Sequence, residues 1–100
     1  MDTLSFFKSS LKEPHPPLSL SNALQALWYD ANGDWDKAHD LAQIEENAIS
    51  NWVHAYLHRK EGDQFNASYW YRRADKPVCK LSLDEEWEQI AAELLKDTSE

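Results

Sequence analysis

Residues 26–38, ALWYDANGDWDKA, and residues 55–67, AYLHRKEGDQFNA, superimpose at an offset of 29 residues. Ala26 matches Ala55, Gly33 matches Gly62, Asp34 matches Asp63 and Ala38 matches Ala67. In each copy a Gly-Asp step separates two helix-forming runs, which is the pattern of stacked helical hairpins. An all-α fold follows, and the rest of the chain has to fit around that repeat.

The chain has 100 residues, 42% of them hydrophobic, enough for one core that buries about 65% of the unfolded surface. It holds only two glycines and four prolines, too few turn residues for an all-β fold of this size. Twelve aromatic residues, five of them Trp, supply large apolar area to a small core. Cys79 is the single cysteine, so no internal disulfide forms and a reducing compartment is expected. The N-terminal residues lack a basic segment followed by an apolar run, and no stretch is apolar over about 18 residues. A soluble, cytoplasmic protein is expected.

The net charge of -8 opposes affinity for nucleic acid and anionic membranes. It is unevenly spread: residues 56–80 carry six basic and three acidic groups, a local +3, which leaves -11 over the remainder.

Apolar spacing divides the chain. Leu4, Phe7 and Leu11 define a short helix over 3–12, and the EPHPP segment at 13–17 ends it, because proline removes donors and restricts the preceding residue. Residues 1–18 therefore read as a short helix and Pro-rich linker, and 19–97 as the helical-hairpin domain. From Ser19 or Ser21 as N-cap, a stripe through Leu20, Ala23, Leu24, Leu27, Trp28 and Ala31 predicts a helix that Gly33 terminates. Asp34 caps a helix over 35–46 carrying Trp35, Ala38, Leu41, Ala42 and Ile44, with Asn47 as its stop. A third helix over 49–61 presents Ile49, Trp52, Val53, Tyr56 and Leu57. Asp63 caps a fourth over 64–74, whose apolar residues fall on two sides, Trp70 and Tyr71 on one and Phe65 and Tyr69 on the other, so that it is expected between two neighbours. After a loop at 75–81, the box Ser82-Leu83-Asp84-Glu85 starts a last helix that buries Trp87, Ile90, Ala91, Leu94 and Leu95 and ends near Lys96. The tail 97–100 is expected to fray. The count is four to five helices: two stacked antiparallel hairpins plus a C-terminal helix.

The Ala-Gly-Ala spacing of each copy, with Tyr71 and Ala74 following in the second, resembles a degenerate tetratricopeptide unit over residues 19–75. The spacing of 29 is shorter than the roughly 34 residues of that family, and Glu45 stands where the second copy has Ala74. The runs ALWYDANGDWDKAH, WVHAYLHRKEGD and YWYRRA are also similar to a group of small uncharacterised bacterial proteins, a likeness that implies no activity. The tetratricopeptide resemblance implies a concave side lined by the first helix of each unit, with Trp52, Tyr56 and Arg59 on it. Aromatic residues beside Arg are typical of a groove that accepts a peptide or helix. The expected function is thus a small interaction module that binds a protein or peptide, with no cofactor and no catalytic residue; Arg72 and Arg73, in the basic cluster, form a rival docking patch.

Two other readings stand beside it. His54 and His58 lie one helical turn apart, the spacing of two ligands to one metal, and His39 on the preceding helix is a possible third. No Glu follows His54, so the metalloprotease motif is absent. The competing expectation pairs these imidazoles with protein groups in the helix interfaces and forms no tight metal site. The third reading is an acidic inhibitor or immunity-type protein that presents its -11 remainder to a basic target. Asp30, Asp34, Asp36 and Asp40 beside His39 make an acid–base pair conceivable, but Asp34 reads as a cap and the others as solvated face. Cys79 beside Lys80 reads as a spectator thiol. No nucleophile elbow, phosphate loop, paired-cysteine site or dinucleotide fingerprint is present.

Overall fold

The computed structural model describes residues 3–17 and 20–98. The described residues form six helices: α1 (Thr3–Ser10), α2 (Asn22–Ala31), α3 (Trp35–Ala42), α4 (Ala48–Lys60), α5 (Gln64–Arg73) and α6 (Leu83–Thr98). The described residues contain no strand. There are six helices rather than four to five because α1 folds onto the same core: Phe7 is buried and stacks on Trp87 at 5.6 Å, and the Trp28 indole donates to the Ser10 carbonyl.

The repeat is visible atom by atom at the helix ends. Gly33 and Gly62 adopt φ of +86° and +91°, and the amides that follow donate back by the same pattern, Asp34 to Tyr29 and Asp63 to His58, each at 2.9 Å. Glycine has no Cβ to clash in this left-handed region, so the chain reverses at both places with little cost. Asp34 and Asp63 then cap α3 and α5 by accepting from the Lys37 and Asn66 amides. The end of α5 repeats the motif a third time without glycine. Asp75 takes φ of +59° and the Lys76 amide reaches back to Tyr71. Ala26, Ala38, Ala55 and Ala67 are all fully buried, which lets the helices of each hairpin approach closely.

The hairpins α2–α3 and α4–α5 pack side by side through α3 and α4, and α6 lies across α2 and α4 with α1 against it. Three expectations change. First, α3 stops at Ala42, leaving Ile44 59% exposed, and Asn47 does not end α3 but caps α4, its side chain accepting from the Ser50 amide. Asn is a strong N-cap, and that bond gives one of the orphan amides of α4 its partner. Second, the backbone of α5 packs on α4 alone, so Phe65 is 86% exposed and Tyr69 is also exposed rather than sandwiched. Third, Asp30, not Ala31, occupies the buried position at the end of the α2 stripe. Ser21 caps α2; Ser19, the other candidate, lies outside the described residues, as do the last two of the tail expected to fray. The Ser82–Glu85 box forms reciprocally, each residue's amide donating to the other's side chain at 3.1 Å.

Gly62→Ala is expected to lower the urea midpoint by the equivalent of about 1–2 kcal/mol, the cost of the left-handed region for an L side chain. A methyl group at this position would meet no atom within 4 Å, so backbone strain alone is being read. Asp75→Gly is expected to act with the opposite sign. A Gly62 variant with an unchanged midpoint would remove the strain argument.

Candidate functional site

The seam between α3 and α4 gathers three imidazoles. His39 projects from α3, and His54 and His58 from successive turns of α4. Their ring centroids lie 4.6, 5.2 and 4.9 Å apart, and one ligand nitrogen from each falls within 4.8 Å of the other two. His39 Nε2 and His54 Nε2 are hydrogen-bonded at 2.9 Å, so one ring donates its N–H and the other accepts. Two tryptophans wall the cluster. Trp35 stacks on His39 at 4.9 Å and Trp70 on His54 at 3.9 Å. Trp35 is itself fixed by an indole bond to the Leu57 carbonyl.

Burial shapes the protonation of His54 and His39. His54 is pushed down to about 4, first by burial and then by its neighbours His39 and His58. His39 is also lowered, chiefly by burial and by His58, against the opposing pull of Asp40, Glu61 and Asp36. Neutral imidazole is the form that ligates a metal. His58 Nδ1 meets Glu61 Oε2 at 2.8 Å. A carboxylate on the far nitrogen is the usual partner of a metal-ligating histidine. In a tetrahedral site with bonds near 2.0–2.1 Å, adjacent donors stand about 3.3 Å apart, so His39 and His54 need to open by only about 0.4 Å. His58, Glu61 and Asp63 form a second grouping, but Asp63 is committed to capping α5 and Glu61 to His58.

The other candidate residues lie elsewhere. Trp52, Tyr56 and Arg59 do share one face, but α6 covers it: Trp52 is 7% and Tyr56 2% exposed. The Trp52 indole donates to Glu86 Oε2 at 3.0 Å, and the Arg59 guanidinium to Glu86 Oε1 at 2.7 Å and to the Leu81 carbonyl. Tyr71 adds a further bond to Glu86, and Tyr56 bonds buried Asp30, which also pairs with Lys60. Burial raises both tyrosines, and the carboxylates beside them push in the same direction. The expected groove is therefore filled from within, and its three residues serve as attachment points for α6 and α2. Arg72 is exposed, while Arg73 lies over Trp70 and Tyr69 and meets Glu46 at 3.2 Å. Asp34 is a cap, Asp36 and Asp40 are exposed, and Cys79 is half-buried beside a cleft lined by Trp52 and Lys76.

Glu86 is not singled out by the sequence, and Asp30, expected on a solvated face, is buried at 3% exposure on Tyr56 and Lys60. The signal is present. Glu86 sits four residues before Ile90 and three after Leu83, and Asp30 three after Leu27, each on the buried stripe of its helix. Compared with known proteins, the chain matches no family model, no curated protein and no solved structure.

The depressed value of His54 sets a pH dependence. The unfolded chain protonates this ring near its ordinary 6.5 and the folded chain only near about 4, so its contribution is intact above 6.5 and is lost as pH falls through that window. Between about pH 7 and 5, above the range of most carboxylates, the urea midpoint is expected to fall, and His54→Gln to flatten that slope. An equal slope in the variant would mean that another group carries it.

Proposed function

We propose that this protein holds one divalent cation of the zinc class on His39, His54 and His58. The observation that carries the reading is the convergence of three imidazole nitrogens, from two helices, within 4.8 Å. Three facts support it. Burial keeps His39 and His54 neutral, Glu61 orients His58, and two stacked tryptophans restrict the rings. Nitrogen donors at this spacing suit zinc, nickel, cobalt or copper rather than magnesium or calcium, which take oxygen. The 2.9 Å bond between His39 and His54 is the interaction that a cation replaces, so the cluster is paired in its absence. We read the two Gly-turned hairpins as a tetratricopeptide-like pair, supported by their matching turns and buried alanines, and the cation as a clasp between them.

Calorimetric titration with zinc is expected to give one site of micromolar or tighter affinity that disappears in His54→Ala, His58→Ala. Glu61→Gln is expected to weaken it by about 10- to 100-fold. Saturating zinc should also stabilise the fold, by about 2.7 kcal/mol at a hundred times Kd. Heat indistinguishable from that of the double variant would sink the reading.

A second reading, a docking module for a protein segment, has its own support in the bare outer side of α5. Phe65 and Tyr69 are exposed there with Arg72, inside the local +3 region, so the fitting occupant is an acidic amphipathic segment. A photo-crosslinker at position 65 is expected to capture an acidic chain that the same group at exposed Glu93 on α6 does not. Equal capture from both positions would discard this reading.

A further inference from the structure

The loop that joins α3 to α4 and the last turns of α5 border a cleft of about 360 Å³, into which Asn51 and His54 reach from α4 and Trp70 and Arg73 from α5. Ligand sites run from roughly 300 to 1,000 Å³, so this one suits a small molecule. Its walls carry polar atoms that the fold does not use. Four of the five indoles donate within the protein: Trp28 to Ser10, Trp35 to Leu57, Trp52 to Glu86 and Trp87 to Leu27. Among the described residues the Trp70 N–H has no acceptor. Asn51 is 7% exposed and donates one N–H to the Arg73 carbonyl at a long 3.4 Å, while its Oδ1 accepts nothing. His54 is 4% exposed and bonded through Nε2 to His39, with no partner on Nδ1. No sealed polar side-chain atom among the described residues lacks a hydrogen bond, so these three atoms reach open space, and the cleft is the space their residues line.

We infer that this cleft binds a small zwitterion of the α-amino acid class, its carboxylate on Arg73 and the Trp70 indole and its ammonium on Glu46 and Asn51 Oδ1. The charges at the rim select the class. Arg73 and Glu46 are both exposed and meet at 3.2 Å. An exposed ion pair of this kind contributes little and exchanges easily. Glu45, also at the rim, is already held by the side chains of Asn22 and Asn47. A lone anion would take Arg73 and leave Glu46 without its cation, and a lone cation would do the reverse. A zwitterion replaces one ion pair by two and leaves the net charge of the site unchanged. The open neutral atoms agree with this division, since an indole N–H serves a carboxylate and an amide oxygen serves an ammonium. The inference goes beyond the cation reading and survives its failure, because none of the four residues that hold the zwitterion belongs to the histidine triad.

The test follows the indole N–H signals of nitrogen-15-labelled protein by NMR, in the presence of a chelator so that no metal takes part. The Trp70 signal is identified by its loss in Trp70→Phe. The probes are L-alanine, N-acetyl-L-alanine, which lacks the ammonium, and L-alaninamide, which lacks the carboxylate. L-Alanine is expected to shift the Trp70 signal saturably, at concentrations about tenfold or more below those that either blocked relative requires. Arg73→Gln is expected to weaken L-alanine by about tenfold or more, and Arg72→Gln, one residue away and exposed, to leave it unchanged. A Trp70 signal that ignores L-alanine would overturn the site. A blocked relative that binds as well as L-alanine would overturn the zwitterion class, and equal weakening by the two arginine variants would overturn the placing of the carboxylate on Arg73.

Discussion

Glu86 has no contact with solvent and accepts hydrogen bonds from Trp52, Arg59 and Tyr71, so one carboxylate ties α6 to α4 and α5. A charge in that position is costly unless every lone pair is used, and three donors, one of them a guanidinium, meet the demand. The placing of α6 depends on it. With α6 seated, the inner side of the two hairpins is closed, Trp87 reaches the Leu27 carbonyl, and α1 has a surface on which Phe7 stacks. Asp30 makes the matching connection below, taking Tyr56 and Lys60 from α4 back to α2. The outer side of α5, which α6 does not cover, leaves Phe65 and Tyr69 exposed.

The repeat is readable from residues alone because its signals are local. A Gly that must adopt positive φ, an Asp that must accept from an amide three residues on and an Ala that must vanish into a crossing leave marks in a single chain. The N-cap Ser21 and the Ser82–Glu85 box are legible for the same reason. What stays hidden is long-range. Nothing around Trp52 or Arg59 says that a helix thirty residues downstream will lie over them, and an aromatic-plus-Arg face looks the same whether solvent or Glu86 awaits it. Phe65 shows the reverse case, an aromatic residue at a helical spacing suited to burial that finds no neighbour.

The histidines fall between these extremes. The turn between His54 and His58 is local, but their meeting with His39 depends on how α3 rests against α4, which the periodicity of neither helix fixes. That contact puts His39 and His54 where burial disfavours their charge, and His54, the more buried of the two, is pushed down to about 4. The chain resolves the conflict by letting one ring donate to another and by lending His58 a carboxylate. The same arrangement that pairs the three imidazoles also brings one nitrogen of each within 4.8 Å of the others.

The 29-residue offset shows how singular that point is. His54 and His58 correspond to Gln25 and Tyr29 in the first hairpin, and His39 corresponds to Ser68 in the second. The junction between hairpins carries the triad, and each hairpin by itself supplies only part of it. Tandem duplication of the second hairpin would therefore create a new junction bearing two imidazoles and a hydroxyl, not a second triad. Lengthening the array would extend the scaffold without multiplying the triad, so a descendant with more repeats would keep one meeting of three imidazoles unless Ser68 also became histidine.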